Sequence, residues 1–160
     1  MKYLFYLIFF SSISFAQSSI DSLLLKYNKK TIPYLYIEEF KKLNDVIILD
    51  TREQKEFNIS HIENAYCVGY DKFNSKFIKE KYKNFNDTIV VYCSVGIRSE
   101  IIGTKLKKLG YKNVFNLYGG IFEWKNKDEK VVDHNQVPTE NVHTFSIEWS
   151  YYLIKGKKVY

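Results

Sequence analysis

Cys93 heads the stretch Cys93-Ser94-Val95-Gly96-Ile97-Arg98-Ser99 and directly follows the β-branched run Thr88-Ile89-Val90-Val91-Tyr92. A thiol attacks only as its thiolate, and a free cysteine with a pKa of about 8.5 is mostly protonated at neutral pH. This stretch has the means to hold the anion. A tight loop leaving a strand and feeding a helix N-terminus turns successive backbone N–H groups toward the sulfur, and Gly96 lets the loop take positive φ. The helix dipole and the formal charge of Arg98 add to the same effect. A pKa drop of about two units, common in such settings, is worth about 2.7 kcal/mol to the anion. The plainer reading makes Cys93 a small buried hydrophobe at a strand end and Arg98 a surface arginine on a first helical turn. Local pattern alone leaves both readings open.

Other reactive types are sparse. The only second cysteine is Cys67, so no disulfide scaffold is in view, and the three histidines (His61, His134, His143) do not sit at ligand spacing, so no metal site is expected. Asp50 and Arg52 flank the end of an apolar run, where they either frame a site or form a structural ion pair. Arg52 is retained among the expected substrate-contacting residues.

The surrounding pattern supplies a scaffold. Val46-Ile47-Ile48-Leu49 ending at Asp50 reads as a strand covered on both sides, and Thr88 to Tyr92 is the strongest strand by composition. Ala65 to Val68 and Val114 to Leu117 are shorter strands. Pro33 precedes Tyr34 to Leu43, whose Leu35, Phe40 and Leu43 predict a helix, and Phe73 to Phe85 has helical spacing broken at Asn86-Asp87. From Ser99 to Leu109, Ile101, Ile102, Leu106 and Leu109 predict an amphipathic helix stopped by Gly110. Strands alternating with helices predict an α/β fold with a parallel sheet, where ligands sit beyond the carboxyl ends of the strands. Cys93 is at such an end.

Two ordered motifs then resemble the rhodanese-like family. Cys93 to Ser99, Leu109-Gly110-Tyr111, Val114, Leu117, Gly119-Gly120-Ile121 and Trp124 resemble its active-site half. Ile48-Leu49-Asp50-Thr51-Arg52-Glu53, Glu56-Phe57, His61-Ile62 and Ala65 resemble its entry motif. Ser60 stands where the family usually has Gly, and Glu63-Asn64 replaces Pro-Gly, departures in a turn away from the cysteine. The resemblance implies a three-layer domain over 34–127, with a central parallel sheet and helices on both faces. A lead-in over 17–33 precedes it, and an extension over 128–160 is expected to pack on the same domain. It implies a structural turn at His61 and places Cys67 on an edge strand away from Cys93, which disfavours a disulfide between them.

It also implies an activity: a sulfurtransferase in which Cys93 takes sulfane sulfur from thiosulfate or a persulfide, holds it as a persulfide and passes it to a thiol or cyanide. Cys93 and Arg98 would be catalytic. Ser94, Val95, Gly96, Ile97 and Ser99 would contact substrate, Ser94 and Val95 also shaping access, and no metal or organic cofactor is required. A cysteine phosphatase or arsenate reductase uses a Cys-x5-Arg loop, whereas Cys93 to Arg98 is Cys-x4-Arg, a smaller cradle suited to a sulfur atom. A non-catalytic or redox-sensing module that docks a protein is the remaining rival. Aromatics in the extension, Phe145, Trp149, Tyr151 and Tyr152, read as packing or as a docking surface.

Composition sets the partners. The net charge of +6 is carried by scattered lysines in short doublets such as Lys29-Lys30, the pattern of a solvated surface and not of nucleic-acid binding. Lys2, the apolar run Tyr3 to Phe10 and Ser14-Phe15-Ala16 read as a secretory signal over 1–16, giving a mature chain from Gln17. A membrane anchor or a buried helix is the other reading, but the run falls well short of the roughly 20 residues a span needs. The expectation is export to the periplasm or the exterior without stable membrane insertion, where the thiol would need either a redox or sulfur-relay partner or a persulfide resting state to stay in use.

Overall fold

The structure, a computed structural model, describes residues 19–160, so the expected signal over 1–16 and the cut after Ala16 lie outside the described residues. In chain order the elements are α1 (Ile20–Tyr27), β1 (Tyr34–Leu35), α2 (Ile37–Phe40), β2 (Ile47–Asp50), α3 (Gln54–Ile59), β3 (Tyr66–Cys67), α4 (Ser75–Lys81) and β4 (Thr88–Tyr92). There follow α5 (Ile97–Lys108), β5 (Asn113–Leu117), α6 (Gly120–Asn126), β6 (Val131–Val132), β7 (Pro138–Thr139), β8 (Asn141–His143), α7 (Ile147–Ser150) and β9 (Lys157–Val159). Strands β1 to β5 form one parallel sheet in the order β1-β5-β4-β2-β3, which puts β4 at its centre.

The period of two along β4 builds both cores. Ile89 and Val91 point to one face, with Leu49, Ile78, Ile102, Leu106 and Val114. Val90 and Tyr92 point to the other, with Leu35, Leu117, Ile121 and Phe122. A strand covered on both faces has no polar side to alternate with, which is why Thr88 to Tyr92 reads as a continuous apolar run. Val131, Val142 and Leu153 complete the second core, and Trp149 and Tyr152 pack against it. Among the described residues no helix is long and apolar enough to cross a membrane.

Two expectations need correction. Tyr34 to Leu43 is not one helix: Tyr34 and Leu35 pair with Asn116 and Leu117 as the outermost strand, and only Ile37–Phe40 is helical. Pairing with the open edge of β5 outweighs a helical periodicity carried by three residues. The polar lead-in holds a helix, α1, where Ser19 accepts the Ser22 N–H at 3.2 Å and Leu23 and Leu24 face inward. Glu100 on α5 ties down the following segment by accepting from the Lys29 N–H at 2.7 Å.

Candidate active site

The centre of the sheet delivers Cys93. Leaving β4, the chain turns through Ser94, Val95 and Gly96, with Gly96 at φ 111°, and enters α5 at Ile97. The Gly96 N–H donates to Cys93 Sγ at 3.1 Å, closing the loop on the sulfur. Ser99 Oγ lies 3.7 Å from Sγ and 2.7 Å from Asn116 Oδ1. Its single proton serves one acceptor at a time, and Asn116 Oδ1 is the nearer of the two.

The loop is fixed from outside as well. The Gly96 carbonyl accepts from Asn116 Nδ2 at 2.8 Å and from Asn28 Nδ2 at 2.9 Å. At the start of α6, the Ile121 N–H donates to the Cys93 carbonyl at 2.9 Å and the Phe122 N–H to the Ser94 carbonyl at 3.0 Å. These bonds require very close approach: a Cβ on Gly120, whose φ is 55°, would stand 2.2 Å from the Cys93 oxygen. Gly120→Ala is therefore expected to cost about 2–4 kcal/mol in urea denaturation, from backbone overlap plus a left-handed conformation.

Arg98 does not stand free. Its guanidinium grips Glu56 on α3 with two bonds of 2.7 Å, and Nη2 also donates to Ser94 Oγ at 3.2 Å. Glu56 is fully buried, and its carboxylate also accepts from the Glu53 N–H at 3.0 Å. Burial alone would raise the Glu56 pKa, but the bonds and charge of Arg98 outweigh it and hold the carboxyl below its usual range.

The same balance sets the thiol. Burial of Cys93, 1% exposed, opposes the anion. The Arg98 charge and the hydrogen bonds from Ser99 and Gly96 exceed that penalty, so the pKa falls below the ordinary thiol value. Cys67 shows the contrast: on β3, with β2 between it and β4, it is pushed up to about 11, chiefly by burial. Both cysteines are free. Alkylation with iodoacetamide, read peptide by peptide against pH, is expected to rise with pH with a midpoint for Cys93 below the free-thiol value of about 8.5. Cys67 should label slowly until far more alkaline pH.

Cys93, Ser94, Val95, Ile97 and Arg98 line a cavity of about 180 Å³, which Phe145 and Trp149 from the extension complete. The expected Gly96 and Ser99 act from behind it, through a backbone amide and a hydroxyl. Arg52 does not reach it, against expectation. It is fully buried, with Nη2 on Asp50 at 2.6 Å and on the Ser60 carbonyl at 2.7 Å, because Asp50 and Arg52 are the ion pair that holds the turn before His61. His61 belongs to that turn too, stacked on Phe57 and bonded through Nδ1 to its carbonyl at 3.0 Å. No group of His, Cys, Asp or Glu among the described residues is arranged to hold a metal ion.

The sequence does not place Glu56 or Asn116 at the site, and it marks Phe145 and Trp149 as packing or docking aromatics and not as walls of a cavity beside Cys93. A polar Asn116 inside the apolar Val114 to Leu117 was a usable signal, since buried amides need partners. Glu56, between Lys55 and Phe57, looks like solvated helix surface until the fold sets it opposite Arg98.

Comparison with known proteins agrees with this geometry. The family model described as Rhodanese-like domain matches residues 36–127. The thiosulfate sulfurtransferase GlpE of Coxiella burnetii is 34% identical over 99 residues, covering 60% of this chain and 87% of that protein. YrkF of Bacillus subtilis, named as a candidate sulfur carrier protein, is 32% identical over 106 residues, covering 64% of this chain and 56% of its own. A crystal structure of a thiosulfate sulfurtransferase from Pseudomonas aeruginosa superposes with a TM-score of 0.60 at 24% identity, over 71% of this chain and 22% of that one, a likeness of fold.

Proposed function

Because the chain belongs to the rhodanese-like family, we propose that it is a sulfurtransferase whose Cys93 takes sulfane sulfur from a donor and holds it as a persulfide. The observation that carries this reading is Cys93 among the residues lining a cavity, its sulfur bonded by the Gly96 N–H at 3.1 Å and its thiol lowered in pKa. The names of the relatives, a thiosulfate sulfurtransferase and a candidate sulfur carrier, support it.

In the first step the Cys93 thiolate attacks the sulfane sulfur. A new S–S bond forms while the donor's bond to that sulfur breaks, its electron pair leaving with sulfite from thiosulfate or with a thiolate from a persulfide. The loop amides and Ser99 stabilise whichever sulfur carries the charge. An acceptor, cyanide or a thiol of a small molecule or relay protein, then attacks the outer sulfur and Cys93 departs as thiolate. Arg98 supplies electrostatic support from its place on Glu56. With its fork engaged there, Arg98 has no free bidentate grip for an oxyanion, which weighs against a phosphatase.

Formation of thiocyanate from thiosulfate and cyanide, dependent on Cys93, tests this reading. Failure with thiosulfate and with organic persulfides alike would favour a redox-sensing module, and hydrolysis of an aryl phosphate at Cys93 would favour the phosphatase. Export belongs to the proposal as well: N-terminal sequencing of the chain recovered outside the cytoplasm should begin at Gln17, and recovery of an uncut chain would contradict it.

A further inference from the structure

Building on the sulfur-transfer reading, we infer that the donor carries its sulfane sulfur on an apolar, aryl-sized body, and that Phe145 and Trp149 select it. Three observations converge. First, the cavity beside Cys93 is walled by Val95, Ile97, Phe145 and Trp149, and its 180 Å³ is close to the roughly 150 Å³ at which an apolar cavity accepts a benzene ring. Second, Arg98 is the one cation among the lining residues, and it is not available to a small dianion. Glu56 occupies its fork with two 2.7 Å bonds, and Phe145 covers the guanidinium face at 5.5 Å. Thiosulfate would have to shed water there without gaining a free counter-charge, whereas an apolar body gains by leaving water.

Third, the fold goes to some length to put Phe145 there. The residue sits at φ 67°, a conformation a phenylalanine rarely adopts. Its N–H donates to His143 Nδ1 at 3.0 Å, and the neighbouring Thr144 N–H is held by the Val159 carbonyl at 2.8 Å through the β8–β9 pair. Phe145 is nonetheless 57% exposed, so this placement serves the cavity mouth and not the core.

The step is the one already written, Cys93–S⁻ plus R–SO2–S⁻ giving Cys93–S–S⁻ plus R–SO2⁻ for a thiosulfonate donor. Benzenethiosulfonate, methanethiosulfonate and thiosulfate share the reacting sulfur and differ in the body behind it. Sulfur transfer to cyanide is measured for each with the full chain, and each rate is divided by the uncatalysed rate of the same donor. The expected kcat/KM favours the aryl donor over the methyl donor by about tenfold, the gain from burying one ring face. Phe145→Ala and Trp149→Ala should bring the aryl-to-methyl ratio of kcat/KM down from about ten to about one. Equal normalised values for the three donors, a preference for thiosulfate, or a parallel fall for all donors in a folded Phe145→Ala would overturn the inference and leave sulfur transfer standing. Absence of Cys93-dependent transfer from every donor would overturn both.

Discussion

Cys93→Ser is expected to fold like the wild type and to transfer sulfur at least about a thousandfold more slowly. The substitution keeps the shape of the site. Serine accepts the Gly96 N–H as the sulfur does, so stability should stay within about 1 kcal/mol of wild type. What it removes is the anion. A serine hydroxyl has no appreciable ionised fraction at neutral pH, and no histidine lines the cavity to take its proton. The loop amides, the Ser99 hydroxyl and Arg98 would then surround an atom that cannot attack. A Cys67→Ser chain should keep full transfer, because β2 lies between the strand of Cys67 and β4. Thiocyanate formation by the two variants, beside their urea denaturation curves, checks both halves of the expectation.

The second large effect falls on Arg98. Arg98→Ala strands Glu56, a fully buried carboxylate, with the Glu53 N–H and a long contact to Ser94 Oγ as its remaining bonds. Breaking a buried pair in this way costs about 3–5 kcal/mol, and the lower end applies because the Arg98 side of the pair is partly open to water. The pH dependence has a definite sign. In the wild type Glu56 titrates below its unfolded value, so its contribution is full above that value and fades as pH falls through the folded one. Without Arg98, burial dominates and the carboxyl pKa rises, so the variant recovers by taking up a proton. The stability gap between variant and wild type should narrow on acidification. The Cys93 labelling midpoint should move up in the same variant, since the Arg98 charge is what most strongly offsets burial at the thiol. Arg98→Lys keeps the charge, loses the fork, and should fall between the two.

The central half of the fold was legible in the sequence because its signals are local. A doubly covered strand is a run of β-branched residues, and Thr88–Tyr92 has the bounds its composition suggested. The helix after Gly96 shows its apolar stripe, and the motif order around Cys93 carried the family. The sheet edge was less legible: Tyr34–Leu35 is a strand only because β5 offers it partners, information that lies more than seventy residues away in the chain. The site divides in the same way. Cys93, Gly96, Arg98 and Ser99 sit within one loop and could be read together. Glu56 and Asn116 reach that loop from α3 and β5, so their roles depend on strand order. Arg52 was misjudged for a related reason, since nothing in Asp50-Thr51-Arg52 distinguishes a guanidinium aimed at a ligand from one aimed at the Ser60 carbonyl. Phe145 and Trp149 were visible as aromatics in an extension, but only the β8–β9 pair and α7 bring them over Cys93.

The most direct measurement is the intact mass of the full chain after incubation with thiosulfate or a low-molecular-weight persulfide and removal of the excess donor. One added sulfur atom is expected, absent in Cys93→Ser, retained in Cys67→Ser and discharged by cyanide. No added sulfur from any donor, or sulfur carried on Cys67 in place of Cys93, would contradict that expectation.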